Sequence, residues 1–215
     1  GGLAVLNLEG LWTRYEDPSD AFAQIRAADP ADALPVLQKL YAQPDLRVAV
    51  SPEVRASFAS LVKVQGIAEA CSSVVDGSGF VFAPNRVMTN AHVVAGMQDP
   101  FVQIRGQGTS YKARVVYLDT SVDVAVLYVP DLEAPTLDFA PREAQRGDDA
   151  VVAGFPGGGR LTATAARVRG IITARGTDIY NSGNVVREVY AVRGEVVERG
   201  RHTDLVAAGG TYARL

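Results

Sequence analysis

From about residue 51 onward the chain is a succession of short apolar runs, rich in valine and interrupted by glycine and charged turns. The runs fall at 61–64, 79–82, 86–88, 102–104, 113–117, 124–129, 150–153, 161–168 and 185–192. Each is too short for a helix and lacks helical periodicity, whereas β-branched residues suit a pleated, half-buried surface. Many such runs in series predict an all-β barrel or sandwich. A single short helix is expected ahead of them, with Ser51 as N-cap and Pro52 in its first turn.

The opening fifty residues read differently. Leu3-Ala4-Val5-Leu6 has the character of a buried strand. Asp17-Pro18 then looks like an N-cap with proline at the first helical position, and Phe22 and Ile25 follow at helical spacing up to Asp29-Pro30. A second helical stretch places Leu37, Leu40 and Tyr41 on one face before Pro44. The segment is therefore expected to be α/β, in the order strand, helix, helix.

A length of 215 residues suits one or two domains with a sizeable core. The net charge of −3 gives no reason to expect a nucleic-acid or anionic-membrane surface. No run approaches the roughly 18 apolar residues of a membrane-spanning helix, so no membrane segment is expected. Gly1-Gly2-Leu3 has neither an initiator Met nor a signal-peptide core, so the sequence is expected to begin inside a longer reading frame or a processed product. Cys71 is the only cysteine, which excludes an intrachain disulfide within these residues.

The chemistry centres on Val87-Met88-Thr89-Asn90-Ala91-His92-Val93-Val94-Ala95-Gly96, which holds one of only two histidines. His92 ends an apolar run just before an expected helical turn, so its ring is expected at the rim of a barrel. Asp123 is followed by Val-Ala-Val-Leu, which puts its carboxylate at the mouth of a buried strand. From there it could accept the ring Nδ1 proton and leave Nε2 free as a general base. The other readings are plainer. His92 could be a satisfied structural histidine, and Asp119 a turn residue that merely resembles the partner. The glycines of 154–159 suggest a phosphate loop, yet Arg160-Leu161 stands where Lys and Ser or Thr would be needed. No cofactor and no nucleotide are expected.

These blocks resemble the trypsin-like serine proteases, which have the chymotrypsin-type double β-barrel. The likeness is carried by Gly77-Ser78-Gly79-Phe80-Val81-Phe82, the histidine block, the aspartate block 119–127, and Val151-Val152-Ala153-Gly154-Phe155-Pro156-Gly157-Gly158. Within that family 54–193 most resemble the membrane-anchored periplasmic protease that actinobacteria use in acid resistance. The resemblance implies a polypeptide substrate, His92 as base, Asp123 as its orienter, and a periplasmic or extracytoplasmic location. It also implies that a cysteine near Cys71 pairs with one near the end of the family's domain.

The family's nucleophile lies in a Gly-Asn-Ser-Gly-Gly-Pro or Gly-Asp-Ser-Gly-Gly-Pro loop after a strand ending much like 189–194. Here the chain continues Glu195-Val196-Val197-Glu198 instead. Asn181-Ser182-Gly183-Asn184 is the nearest substitute, but it precedes that strand and has the composition of a turn. The second barrel is expected to be truncated and the single chain inactive.

Both ends carry other resemblances. Gly1-Gly2-Leu3-Ala4-Val5-Leu6-Asn7 and 9–18 are similar to actinobacterial IMP dehydrogenase-like proteins, which are β/α barrels. The run 195–205 and the ending Gly209-Gly210-Thr211-Tyr212-Ala213-Arg214-Leu215 are similar to the tail of an ABC transporter nucleotide-binding domain, with His202 an ordinary polar residue of that tail. The organisation expected is a chimera: 1–50 a β/α-barrel fragment, 51–135 a first β-barrel, 136–193 a partial second barrel, and 194–215 the transporter-like tail. The fold class expected is mainly β, a chymotrypsin-like double barrel with its second barrel truncated, preceded by the short α/β segment. A non-catalytic binding module and a hydrolase restored by a complementing C-terminal fragment are the alternatives.

Overall fold

The computed structural model describes residues 43–68 and 73–194. The strand and two helices expected within the first forty-two residues, Cys71 and His202 lie outside the described residues. The described chain opens with a 3-10 turn, Leu46–Val50, which the sequence had not suggested; the Asp45 carboxylate caps it by accepting from Arg47 N. Helix α1 (Pro52–Ser57) follows as expected, with the Ser51 hydroxyl accepting from Val54 N at 3.3 Å.

Seven strands then build the first sheet: β1 (Leu61–Ala68), β2 (Ser73–Ala83), β3 (Arg86–Thr89), β4 (Met97–Ile104), β5 (Ser110–Lys112), β6 (Arg114–Asp119) and β7 (Val124–Tyr128). Between β3 and β4 lies a single helical turn, α2 (Ala91–Val94). The sheet order is β5-β4-β1-β2-β3-β7-β6, with every pairing antiparallel. Its two edge strands, β5 and β6, are consecutive in the chain with only Ala113 between them. One sheet edge can follow directly on the other only if the sheet curls round, so the first sheet is a closed barrel.

Burial follows the period-2 rule. Strands β3 and β7 alternate between intermediate and buried positions, pointing Val87, Ala125 and Leu127 inward. With Val62, Val64, Val81, Val102 and Val129 they form one apolar core, all at 0% exposure. Val93 and Val94 of α2 plug one end of it.

The second sheet has three antiparallel strands in the order β10-β9-β8: β8 (Asp149–Gly154), β9 (Thr162–Thr177) and β10 (Asn184–Gly194). It packs on the outside of the first barrel through a smaller core, where Val151 and Ala153 meet Val54 and Leu61, with Phe80 against them. The fold is mainly β, as expected from the apolar runs, and chymotrypsin-like, as the family resemblance implied. Two differences stand out. Strand β5 was not visible, being the short polar run Ser-Tyr-Lys. Strand β9 runs on to Thr177, well past residue 168, through a mixed and largely exposed stretch held by its pairing with β10.

Candidate active site

The barrel register brings His92 and Asp123 together. Thr89, the last residue of β3, pairs with Ala125 near the start of β7. Residues that follow β3 and residues that precede β7 therefore share one rim of the barrel, although His92 and Asp123 are 31 positions apart. Turn α2 is seated there by an absence of side chain. At Gly77 a Cβ would lie 2.4 Å from Val93 Cγ1, so only glycine lets α2 approach β2 this closely. The hydroxyl of buried Thr89, two residues ahead of α2, donates to Ser78 O at 2.8 Å and ties the end of β3 to β2.

Asp123 ends the turn 120–123 with φ of +60°, a left-handed conformation that few residues other than glycine, asparagine and aspartate adopt. Its carboxylate is held from two sides. Oδ2 lies 2.7 Å from His92 Nδ1, and Oδ1 accepts the His92 backbone N–H at 2.9 Å. Asn90, the N-cap of α2, makes no capping bond with its side chain. Its amide instead donates to Asp123 O at 3.0 Å and Oδ2 at 3.3 Å. Both side chains of the pair remain partly open, at 30% for His92 and 22% for Asp123, so the ring is within reach of solvent.

Burial on its own would raise the Asp123 pKa. The hydrogen bonds from the His92 ring and backbone, and the charges of His92 and Arg187, outweigh it and hold the carboxyl below its ordinary value of 3.8. A carboxylate that is ionised at neutral pH and bonded to Nδ1 fixes the tautomer with the proton on that nitrogen. Such a pair can take a proton through Nε2 and stabilise the resulting imidazolium.

The remaining candidates take plainer places. Asp119 accepts from Ser121 N, Ser121 Oγ and Val122 N, as the turn residue it was read to be. The hydroxyl of Ser182 donates to Asp178 Oδ2 at 2.5 Å within the turn between β9 and β10. The glycines after Gly154 form a 3-10 turn, Pro156–Gly158, whose Gly158 carbonyl accepts from Lys63 Nζ at 2.6 Å. No group of three or more metal-ligating side chains occurs among the described residues. No helix among them is long and apolar enough to cross a membrane. The sequence reading missed Asn90 and the turn 119–122 as supports of the pair. The histidine block did place Asn90 two residues before His92, which was the available signal.

Comparison with known proteins extends this picture. Residues 77–205 match the trypsin-like peptidase domain family. Serine protease Rv3671c of Mycobacterium tuberculosis is 43% identical over 183 residues, covering 85% of this chain and 45% of that protein. A probable periplasmic DegP-like serine endoprotease of Halomonas elongata is 32% identical over 151 residues, covering 65% of this chain and 31% of that protein. The crystal structure of the active form of the Rv3671c protease superposes with a TM-score of 0.68 at 47% identity, covering 72% of this chain and 68% of that one. The chain spans under half the length of these curated relatives.

Proposed function

Because the chain belongs to the trypsin-like peptidase domain family, we propose that it carries the base-and-orienter half of a serine endopeptidase site. His92 is the general base, Asp123 holds its tautomer, and the substrate is a polypeptide. The observation that carries this reading is the doubly held carboxylate, with Nδ1 at 2.7 Å and the backbone N–H of the same histidine at 2.9 Å. The nucleophile is outside the pair. Ser182 is bonded to Asp178, and no Gly-Asp/Asn-Ser-Gly-Gly-Pro string occurs in the 215 residues. On this reading these residues alone do not hydrolyse peptides, and the fit to periplasmic and mycobacterial relatives favours an extracytoplasmic setting.

The test is complementation. The chain is co-expressed with the C-terminal part of a related protease that carries the nucleophile loop, and ester hydrolysis is measured. A gain in rate that His92→Ala abolishes supports the reading; no gain removes it. In parallel, the chain alone should not react with a fluorophosphonate probe, and an adduct on any one serine would overturn the inactivity.

The flanking segments remain a separate matter. The reading of 1–50 as a β/α-barrel piece and 194–215 as a transporter tail rests on short strings. The family match runs on to residue 205, past the second joint. An alignment of 183 out of 215 residues must also begin before residue 50. Both overlaps favour continuous protease sequence across the joints, and sequencing the coding DNA through them decides it.

A further inference from the structure

The turn that carries Asp123 is gripped from the second sheet. Arg187 on β10 donates from Nε to Ser121 O at 2.6 Å and from Nη2 to Thr177 O at 3.1 Å. One planar fork thus joins the Asp123 turn to the end of β9. A second link lies beside it, where Ile179 N donates to Thr120 O at 3.4 Å. The hairpin tip that presents Ile179 is itself stiffened. Asp178 accepts from Tyr180 N at 3.0 Å, from Ser182 N at 2.8 Å and from Ser182 Oγ, while its own N–H reaches Gly183 O at 3.0 Å. Ser182 therefore serves this tip.

Asp119 fixes the other side of the turn through Ser121 and Val122. Between these two holds Asp123 keeps φ at +60°, a conformation that persists only where its surroundings over-determine it. We propose that Arg187 is a positioning residue for Asp123, clamping the 120–123 turn so that its carboxylate meets His92. This rests on the reading of His92 and Asp123 as base and orienter. It makes the pair, built wholly from the first barrel, depend on the second sheet for its alignment. Arginine suits the task because two carbonyls some distance apart need a rigid fork, which the single ammonium of lysine does not provide.

The guanidinium could act on the pair in two ways, and they have opposite signs. As a bare positive charge it disfavours the imidazolium, so removing it would raise the His92 pKa. As a clamp it keeps the carboxylate in place, so removing it would lower that pKa and loosen the bond at Nδ1. The experiment is NMR on the full chain, following the low-field Nδ1 proton and the ring titration that His92→Gln removes. Arg187→Gln should lose the low-field proton and lower the His92 pKa by about one unit. Arg187→Lys should keep the charge and still weaken the low-field signal. Arg175→Gln, an exposed change of equal charge on neighbouring β9, should alter neither.

An unchanged proton and titration in Arg187→Gln, or a pKa that rises, overturns the clamp. If Arg187→Gln does not fold, Arg187→Lys decides by the same signal, an intact resonance overturning the clamp. If the native chain shows no low-field proton assignable to His92, the pairing itself fails and the clamp falls with it. That result is distinct from the one in which only the variants are silent.

Discussion

The two sheets are built from similar valine-rich strands, yet they end in different states. The first closes on itself, and Val62, Val64, Val81, Val87, Val102 and Leu127 reach 0% exposure. Among the described residues the second has three strands, with Asn184–Gly194 at its edge carrying no buried residue and Val186 at 62% exposure. Closure makes the difference. A closed barrel has an inside that excludes water from alternate residues of every strand, whereas an open three-stranded sheet buries only the patch that rests on a neighbour. The site follows the same division: His92 and Asp123 stand on the closed barrel, and the open sheet contributes the clamp on their turn.

The contrast can be broken by truncating one side chain in each sheet. Leu127→Ala should destabilise the chain by about 2–5 kcal/mol, because the barrel cannot collapse around the cavity. Val186→Ala should cost less than about 0.5 kcal/mol, since its side chain already faces water. Urea unfolding of both variants checks this, and equal losses would mean that the two sheets share a single core. Gly77→Ala comes next in size. Its methyl group meets Val93, and a cost of about 1–3 kcal/mol is expected in the same assay, together with broadened His92 resonances.

A subtler change separates the stability of the barrel from the state of the pair. Asp123→Asn should lower the His92 pKa by about 1–2 units, measured by NMR titration, because the imidazolium loses its counter-charge. Barrel amide protection should stay near the native level. The smallest effect is in pH. The Asp123 pKa lies lower in the folded chain than its ordinary 3.8, so its contribution to stability is fully present above that value. As the pH falls below it and through the folded pKa, protonation of the carboxyl removes that contribution. The low-field Nδ1 proton should accordingly persist at pH 5 and disappear only at a pH below 3.8. Loss near pH 6 would mean that Asp123 is not the group that holds the ring.

Much of the fold was legible because alternation along a strand writes burial directly into the sequence. Val87, Leu127 and Val151 fall on the inward side of runs that could be marked residue by residue. Ser51-Pro52 likewise announced α1 through purely local bonds. Strand β5 and the far half of β9 were not legible, because Ser110, Arg175 and Gly176 have no apolar pattern and are strand only through their partners. In the site, His92 and Asp123 could be named from their flanking strings. Asn90 was visible only as a member of the histidine block, and its use as a donor to Asp123 depends on an approach across 33 positions.

The sequence by itself determined that the chain is β-rich, that His92 follows one strand and Asp123 precedes another, and that no serine stands in the family's nucleophile string. Only the tertiary structure decided that β5 and β6 close the barrel, that Gly77 admits Val93, and that Arg187 reaches Ser121 across 66 residues. The reason is physical. Hydrophobic period and turn chemistry act over a few neighbouring residues, whereas a clamp between two sheets exists only once register and closure have set which distant backbone carbonyls face a given side chain.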